Sequence, residues 1–564
     1  MKRCPQCGRD YNDDSMSFCL DDGSELLFGP SSDEEPATAL ITAHETEPAT
    51  RAFDSRSLEV APVNSSTIDA SRRRTIVAVP IVVVLAAILA VGGYFYLGRA
   101  STKQINSIAV MPFVNDSGNA DIEYLSDGMT ETLIGSLTNV PDLSVKARSI
   151  VFRYKGKETD AKTIGKELNV QAILNGRIAQ HGDELTLSLE LMDVTTENAI
   201  WSQQYTRKEA EIVSLQSQIA KDVSTKLKAR LSGPEESKVT RPATVDPEAY
   251  QAYLKGRFYW NQRGQAPGKM AAAIEQFNAA STKDPNYALA YAGLADCYAL
   301  LPQETGALPS ETLPQAKAFA NRALEIDDSM AEAHATLGLI NYASWQWTDA
   351  EKEFRRAIEL NPNYPTAHQW YSGLLGSMGR TEERLAEIKN ASALDPLSPV
   401  ISVNVGLAYL ERQDLSAAAD QLNKTLEITP NYFVVHSILA ITDLKLGKGD
   451  EALDHAHKAV ELSKRHVYSL SVSGVVNAGL GRRSEALALI REIEQKPVAG
   501  DSDKYYIASV YAYLGDKDEA FAWLEKSFQD RNNALSGMRI DPFVEPLWDD
   551  ARFKDMLRRM GLPE

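Results

Sequence analysis

The sequence predicts a multidomain chain: a mixed α/β domain followed by an all-α superhelical solenoid, with a small cysteine-bearing module and one transmembrane helix in front of them. Three observations predict it. An uncharged apolar run covers residues 75–97, an alternating apolar run covers Leu185 to Leu191, and small residues recur every 34 positions through the C-terminal half. At about 150 residues per domain, 564 residues call for several units rather than one core. A composition of 44% hydrophobic and 24% charged residues excludes collagen-like, wholly disordered and multi-span membrane classes. The net charge of -18, from 59 basic and 77 acidic side chains, repels phosphate backbones, so no nucleic-acid partner is expected.

The chain opens with MKRCPQCGRDYNDDSMSFCLDDGSEL, in which Cys4-Pro-Gln-Cys7 is followed by Cys19-Leu-Asp-Asp22. A tight Cys-x2-Cys turn presents two thiolates to one tetrahedral ion, and a second such turn normally supplies the other pair. Here Asp22 stands in the fourth place. Residues 1–26 resemble a bacterial zinc ribbon, which implies zinc held by Cys4, Cys7, Cys19 and Asp22. Asp21 or water is the alternative fourth ligand, and an accessible or redox-active thiol pair is the alternative reading of the cysteines. So short a segment has no core, and metal would supply nearly all its folding energy. Residues 27–74, rich in Ser, Thr, Pro, Ala and Glu without an apolar period, read as a disordered linker.

Residues 75–97 (TIVAVPIVVVLAAILAVGGYFYL) carry no charge and as a helix reach roughly 35 Å, enough to cross a bilayer. Pro80 falls within the first two turns, where a lost hydrogen bond matters least. Arg72, Arg73 and Arg74 precede the span and only Arg99 and Lys103 follow it closely, so the N-terminus is expected in the cytoplasm. Reduced thiols favour the same side. The expected place is the bacterial inner membrane, crossed once, with the remaining domains periplasmic or otherwise extracytoplasmic.

Beyond the span, Ser107 to Asn115 reads as a buried strand and Ile122 to Leu137 as a helix; Asp127 and Gly128 suit a cap or tight turn. A strand over Leu143 to Ser149 follows, then a helix through Ile164 and Leu168 and a strand over Gln171 to Ala179. Leu185, Leu187, Leu189 and Leu191 alternate with polar residues in a half-buried strand, Ala199 to Tyr205 pair back onto it, and a helix over Glu211 to Leu231 closes a mixed sheet. The segments SIAVMPFVN, YLSDGMTETLIGSL, VQAILNGRI and LMDVTTENAIWSQQY resemble the TolB-like N-terminal domain over residues 104–231. That resemblance implies a domain set between a membrane helix and helical repeats, often behind a kinase, cyclase or DNA-binding head, and it assigns no activity.

Ala316, Ala350, Ala418, Ala452, Ala486 and Ala520 share one 34-residue lattice on which Arg384 is the exception. Gly338, Ser372, Gly406, Ala440, Gly474 and Ala508 form a second lattice, and Pro362, Pro396 and Pro430 a third. Small residues let antiparallel helices approach and proline punctuates the turn. The unit AEAHATLGLINYASWQWTDAEKEFRRAIELNPN is identified as a tetratricopeptide repeat on Leu337, Gly338, Ala350, Phe354, Ala357 and Pro362. About eight repeats are expected over residues 246–530, closed by a C-terminal capping helix region in 531–564.

The family's geometry implies a concave groove lined by Tyr342, Val403, Leu407, Leu410, Ile441, Leu444 and Tyr468, suited to an apolar peptide or protein partner. Mutual packing, or packing on the TolB-like domain, is the alternative. His334, His368 and His436 share one repeat position roughly 10 Å apart, too far for one ion, and Cys297 reads as an apolar filler. No phosphate loop, kinase, zincin or nucleophile-elbow signature is present. The expectation is a non-enzymatic membrane scaffold or signalling protein that binds protein partners and has no small-molecule substrate. The alternatives are a transmembrane zinc or redox sensor, a regulatory relative of kinase-linked receptors, and an enzyme with an unrecognised site in the TolB-like domain.

Overall fold

The computed structural model describes residues 105–227, 239–240, 242–263, 268–305, 307–496 and 503–563, together with three two-residue strands near the N-terminus. It divides into two units, Met1–Ala100 and Ser101–Glu564. In the first, Lys2–Arg3 pairs antiparallel with Asp10–Tyr11 and with Leu27–Phe28. The Leu27–Phe28 strand, bonded to Lys2–Arg3, lies just past the residues 1–26 expected for the N-terminal module. Cys4, Cys7, Cys19, Asp22, the linker from residue 29 and the apolar stretch 75–97 lie outside the described residues. Among the described residues no helix is long and apolar enough to cross a membrane.

The second unit begins with the expected mixed sheet. Strand β1 (Ser107–Val110) pairs in parallel with β3 (Ser144–Val145) and β4 (Ala172–His181), and β2 (Val114–Asn115) is also parallel to β4. Strands β5 (Glu184–Asp193) and β6 (Ala199–Lys208) continue antiparallel, giving the order β3-β1-β4-β5-β6. Leu185, Leu187, Leu189 and Leu191 are buried as the alternation requires, in one core with α1 (Glu123–Thr138) and α4 (Ile212–Lys226). Two elements differ from expectation. Ser107 to Asn115 is not one strand, because the Phe113 N–H leaves the ladder and donates to the buried Thr130 Oγ1 at 3.0 Å. The strand expected over Leu143 to Ser149 stops at Val145 and turns into α2 (Arg148–Val151), which brings Arg148 beside Glu131. Helix α3 (Ala161–Leu168) starts on the Asp160 carboxylate, which accepts from the Thr163 N–H.

Asp127 and Gly128 form neither cap nor turn; both lie inside α1. Gly128 is where α1 meets α5 (Pro247–Asn261), and a Cβ there would stand 2.8 Å from Leu254 Cδ2. Gly135, on the same helix, has nothing within 4 Å of that position. Gly128→Ala should therefore destabilise the chain by about 1–3 kcal/mol through overpacking. Gly135→Ala should stabilise it by up to about 1 kcal/mol through helix propensity. Urea unfolding of the two variants reads the opposite signs.

Eight helix pairs follow among the described residues. They are α5 with α6 (Lys269–Lys283), α7 (Ala288–Thr305) with α8 (Pro309–Ile326), α9 (Ala331–Ala343) with α10 (Trp347–Leu360), and α11 (Pro365–Ser377) with α12 (Thr381–Leu394). Then come α13 (Pro399–Glu411) with α14 (Leu415–Ile428), α15 (Phe433–Lys445) with α16 (Gly449–Leu462), α17 (Val467–Gly479) with α18 (Arg483–Gln495), and α19 (Asp503–Leu514) with α20 (Lys517–Gln529). All six lattice alanines are fully buried. Gly338 faces Phe354 across its pair so closely that a Cβ would come within 2.5 Å of the ring.

One apolar core runs without a boundary from β1 through α5, α6 and α7, and ends on the buried Cys297. The sheet domain and the first repeats therefore share one continuous apolar core. A second contact ties them: Ser149 on α2 donates to the Asp395 carboxylate, 2.5 Å away in the turn between α12 and α13.

The C-terminal 34 residues depart from the expected terminal helix. Only α21 (Ala551–Arg559) is helical in the ordinary sense, and it lies against α20 through Arg559 and Glu525. Before it come two 3-10 segments, Asn533–Gly537 and Pro542–Leu547, which run along the inner helices of the repeats. Pro542 and Pro546 explain this, since prolines four residues apart remove donors and bar a continuous α-helix.

Candidate partner-binding groove

The first helices of successive repeats line the concave side of such a stack. Here that side is filled by the chain's own tail. Ser377 on α11 donates to the Ser536 carbonyl at 2.7 Å, and Tyr513 on α19 donates to the Pro542 carbonyl at 2.8 Å. Trp347 Nε1, at the start of α10, donates to the Met560 carbonyl at 2.7 Å. Lys445, at the end of α15, pairs with Glu545, and Tyr505 on α19 donates to Asp541 at 2.8 Å. Gly376 leaves room for Ile540, whose Cδ1 would lie 2.8 Å from a Cβ there. Leu535, Met538, Val544 and Leu547 are completely buried.

Six of the seven residues expected to line the groove are drawn into one apolar cluster with Phe543 of the tail. Val403, Leu410 and Ile441 are buried in it, and Leu407, Leu444 and Tyr468 pack half-buried against it. Tyr468 meets the Phe543 ring edge-on at 6.1 Å and the Tyr506 ring at 5.5 Å. Burial, and then the neighbouring Tyr506 and Asp541, push its phenol well above 10. Tyr342 stands apart, edge-on to Trp347 at 5.7 Å, with its hydroxyl 3.0 Å from Ser377 Oγ. Lys445, Ser377, Tyr505 and Tyr513, which make the polar contacts to the tail, escape lattice reasoning because each sits off the small-residue positions. The signal for the tail itself was present: IDPFVEPL has two prolines and no helical period.

The histidine position pins the two helices of a pair together. Nδ1 of His334 lies 2.6 Å from Glu353, Nδ1 of His368 lies 2.5 Å from Glu387, and Ser402 at the same position accepts from Gln421 at 2.7 Å. In each case the partner comes nineteen residues later, a spacing that sequence reading alone could have found. Burial alone would lower the His368 pKa, but Glu387 and the Pro362 carbonyl outweigh it and hold the ring above its usual 6.5. The stabilisation from this pair is therefore complete below 6.5 and lost as pH rises through the folded-state value. His368→Gln should be less stable than wild type by about 1 kcal/mol near pH 6, with the gap closing toward pH 9, as urea unfolding at both pH values would read. In the next but one repeat the pair is His436 and His455, and burial lowers both.

In the sheet domain Asp127 is buried and paired with Lys155; burial raises its carboxyl and Lys155 works against that rise. Two clefts of about 330 and 380 Å³ lie elsewhere, the first between α20 and α21 beside Phe521 and Arg559 and the second between repeat helices beside Tyr371 and Glu387. Among the described residues no three His, Cys, Asp or Glu side chains converge as a metal site.

Residues 331–364 match the family model of the tetratricopeptide repeat, in agreement with the helix pairs and their lattices. That unit is a tetratricopeptide repeat, and it stands within a run of helix pairs on the same 34-residue lattice. Residues 103–222 match the second domain of the HilA/YgeH-like transcriptional regulators, which covers the sheet domain. A relative named "Putative adenylate cyclase 3" from Rhizobium meliloti is 33% identical over 41% of this chain and 40% of its own length. The transcriptional regulator HilA of Salmonella typhimurium is 23% identical over 51% of each chain. The type IV pilus assembly protein PilF of Pseudomonas aeruginosa is 30% identical over 22% of this chain and 51% of its own. The chain thus spans about half or less of the length of these relatives.

Proposed function

We propose that this chain is a non-enzymatic, single-pass membrane scaffold or signalling protein whose repeats bind a protein partner, with its N-terminus cytoplasmic and its repeats extracytoplasmic. One observation carries the binding reading: the inner helices hold a segment of two short 3-10 turns, residues 533–547, by its backbone carbonyls, its carboxylates and pockets for Ile540 and Phe543. A partner segment of the same chemistry, apolar anchors beside a carboxylate, takes that place when the tail leaves it. The uncharged stretch 75–97 behind three arginines supports the membrane reading. The TolB-like reading of residues 104–231 fits that module order. Matches to relatives named as a putative adenylate cyclase and as a transcriptional regulator support a part shared among proteins of different roles. The spacing Cys4-x2-Cys7 followed by Cys19 and Asp22 supports zinc on those four residues.

A fluorescein-labelled peptide of residues 533–548 tests the groove when titrated against the full chain. Phe543→Ala, which loosens the resident tail, should bind it at least tenfold more tightly than wild type, and adding Lys445→Glu should abolish the gain. Equal binding by all three proteins would remove the groove reading. Protease added to intact spheroplasts tests sidedness, since repeats that stay uncut there would overturn the extracytoplasmic assignment.

A further inference from the structure

We infer that helices α15 and α16 carry a two-histidine site for a divalent transition metal. The Nδ1 atoms of His436 on α15 and His455 on α16 face each other at 2.9 Å. Of the outer nitrogens one is hydrogen-bonded to a carbonyl and the other stands near a carboxylate. His436 Nε2 lies 3.1 Å from the Pro430 carbonyl, and His455 Nε2 lies 3.7 Å from the carboxylate of Asp443, itself buried. A histidine that ligates metal through one nitrogen characteristically donates the other N–H to a carbonyl or a carboxylate; His436 has the carbonyl, and a small ring movement brings His455 to the Asp443 carboxylate.

Without a cation the pair is poorly satisfied. His436 donates to Pro430 through Nε2, so its Nδ1 is a bare acceptor and His455 must supply the proton between the rings. His455 then turns an unprotonated Nε2 toward the Asp443 carboxylate, lone pair against lone pair. A metal ion removes that conflict. The His455 proton moves from Nδ1 to Nε2, where Asp443 faces it, and both Nδ1 lone pairs are free for the ion, with no net proton released from two neutral rings.

The spacing suits such an ion. Bonds of about 2.05 Å at a right angle put two nitrogens about 2.9 Å apart, as in square or octahedral nickel and copper sites; a tetrahedral angle asks for about 3.3 Å, a small parting of the rings for zinc. Half-buried His455 leaves a path for water to complete the coordination. The matching positions in the other repeats that carry a pair, His334 with Glu353, His368 with Glu387 and Ser402 with Gln421, offer at most one imidazole each. Because α15 also carries Ile441, Leu444 and Lys445, a bound ion steadies the stretch of groove that holds Phe543 and Glu545.

The test uses the full chain, free of affinity-tag histidines, titrated with Ni2+ by calorimetry and followed by hydrogen–deuterium exchange. His455→Gln and His436→Ser copy the Ser402–Gln421 pair that a neighbouring repeat already accommodates, and each should lose one bound equivalent while keeping its helical circular dichroism. Cys7→Ser with Cys19→Ser should keep that equivalent, which separates this site from the N-terminal cysteines. Nickel should slow exchange in residues 433–462 of the wild type and not in the histidine variants. Equal stoichiometry in wild type and both histidine variants, no bound equivalent at all, or protection confined to other repeats would each overturn the assignment.

Discussion

Glu131→Ala should destabilise the chain by about 3 kcal/mol and split its thermal unfolding into two transitions, because Arg148 would lose its ion-pair partner and Arg257 would keep only the Asp296 carboxylate, 3.9 Å away. Glu131 on α1 accepts from Arg257 Nε at 2.7 Å and from Asn261 at 2.6 Å, both on α5, and pairs with Arg148 at 3.0 Å. It is the charged link between the sheet domain and α5, beside the neutral contacts of Tyr250 with Thr132 and Gln216. Burial raises its carboxyl pKa, but Arg257 and Arg148 outweigh this and hold it below the usual 4.5. Its contribution is therefore complete above 4.5 and lost as pH falls through the lower folded-state value. Differential scanning calorimetry reads both expectations. One unshifted transition in Glu131→Ala at pH 7 would show that the apolar core alone couples the two parts.

Arg384→Ala should cost a similar amount, roughly 3–5 kcal/mol, although it restores the alanine lattice that Arg384 interrupts. The lattice by itself favours alanine there. The structure reverses the sign, because Arg384 is 3% exposed and its Nη1 lies 3.2 Å from Oε2 of Glu411, on α13. Glu411 is otherwise left with Thr381, which donates to its other oxygen at 2.8 Å. Gly376 gives the arginine its room, since a Cβ there would stand 2.5 Å from Arg384 Nη1. Removing only the cation strands the buried carboxylate, whereas replacing both partners removes the conflict. Arg384→Ala with Glu411→Leu should recover most of the loss, since packed apolar replacements of buried pairs are often neutral or better. Urea midpoints for the single and double variants decide it, and a neutral Arg384→Ala would refute the account.

Periodicity made the repeats legible. A 34-residue lattice of alanine and glycine reports which faces of which helices must touch, and those alanines are buried throughout. Strand alternation over Leu185 to Leu191 was legible for the same reason, since a sheet with one covered face imposes a period of two. The nineteen-residue spacing from each histidine position to its partner is present in the sequence, but it gains meaning only once the two helices of a pair stand side by side. Asp127 and Gly128 looked like a turn because a small residue after an aspartate usually marks one. Their true setting, the crossing of α1 with α5, depends on Leu254, more than a hundred residues away.

By itself the sequence determined that a mixed sheet precedes a stack of helix pairs and which small residues let those pairs close, because these are local periodic demands of backbone geometry and burial. Only the tertiary structure decided that the last 34 residues fold back along the inner helices, that Glu131 joins the sheet domain to the stack, and that His436 meets His455. Those contacts are set by how far the solenoid curves, a sum of small rotations between repeats, and no short window of residues encodes that sum.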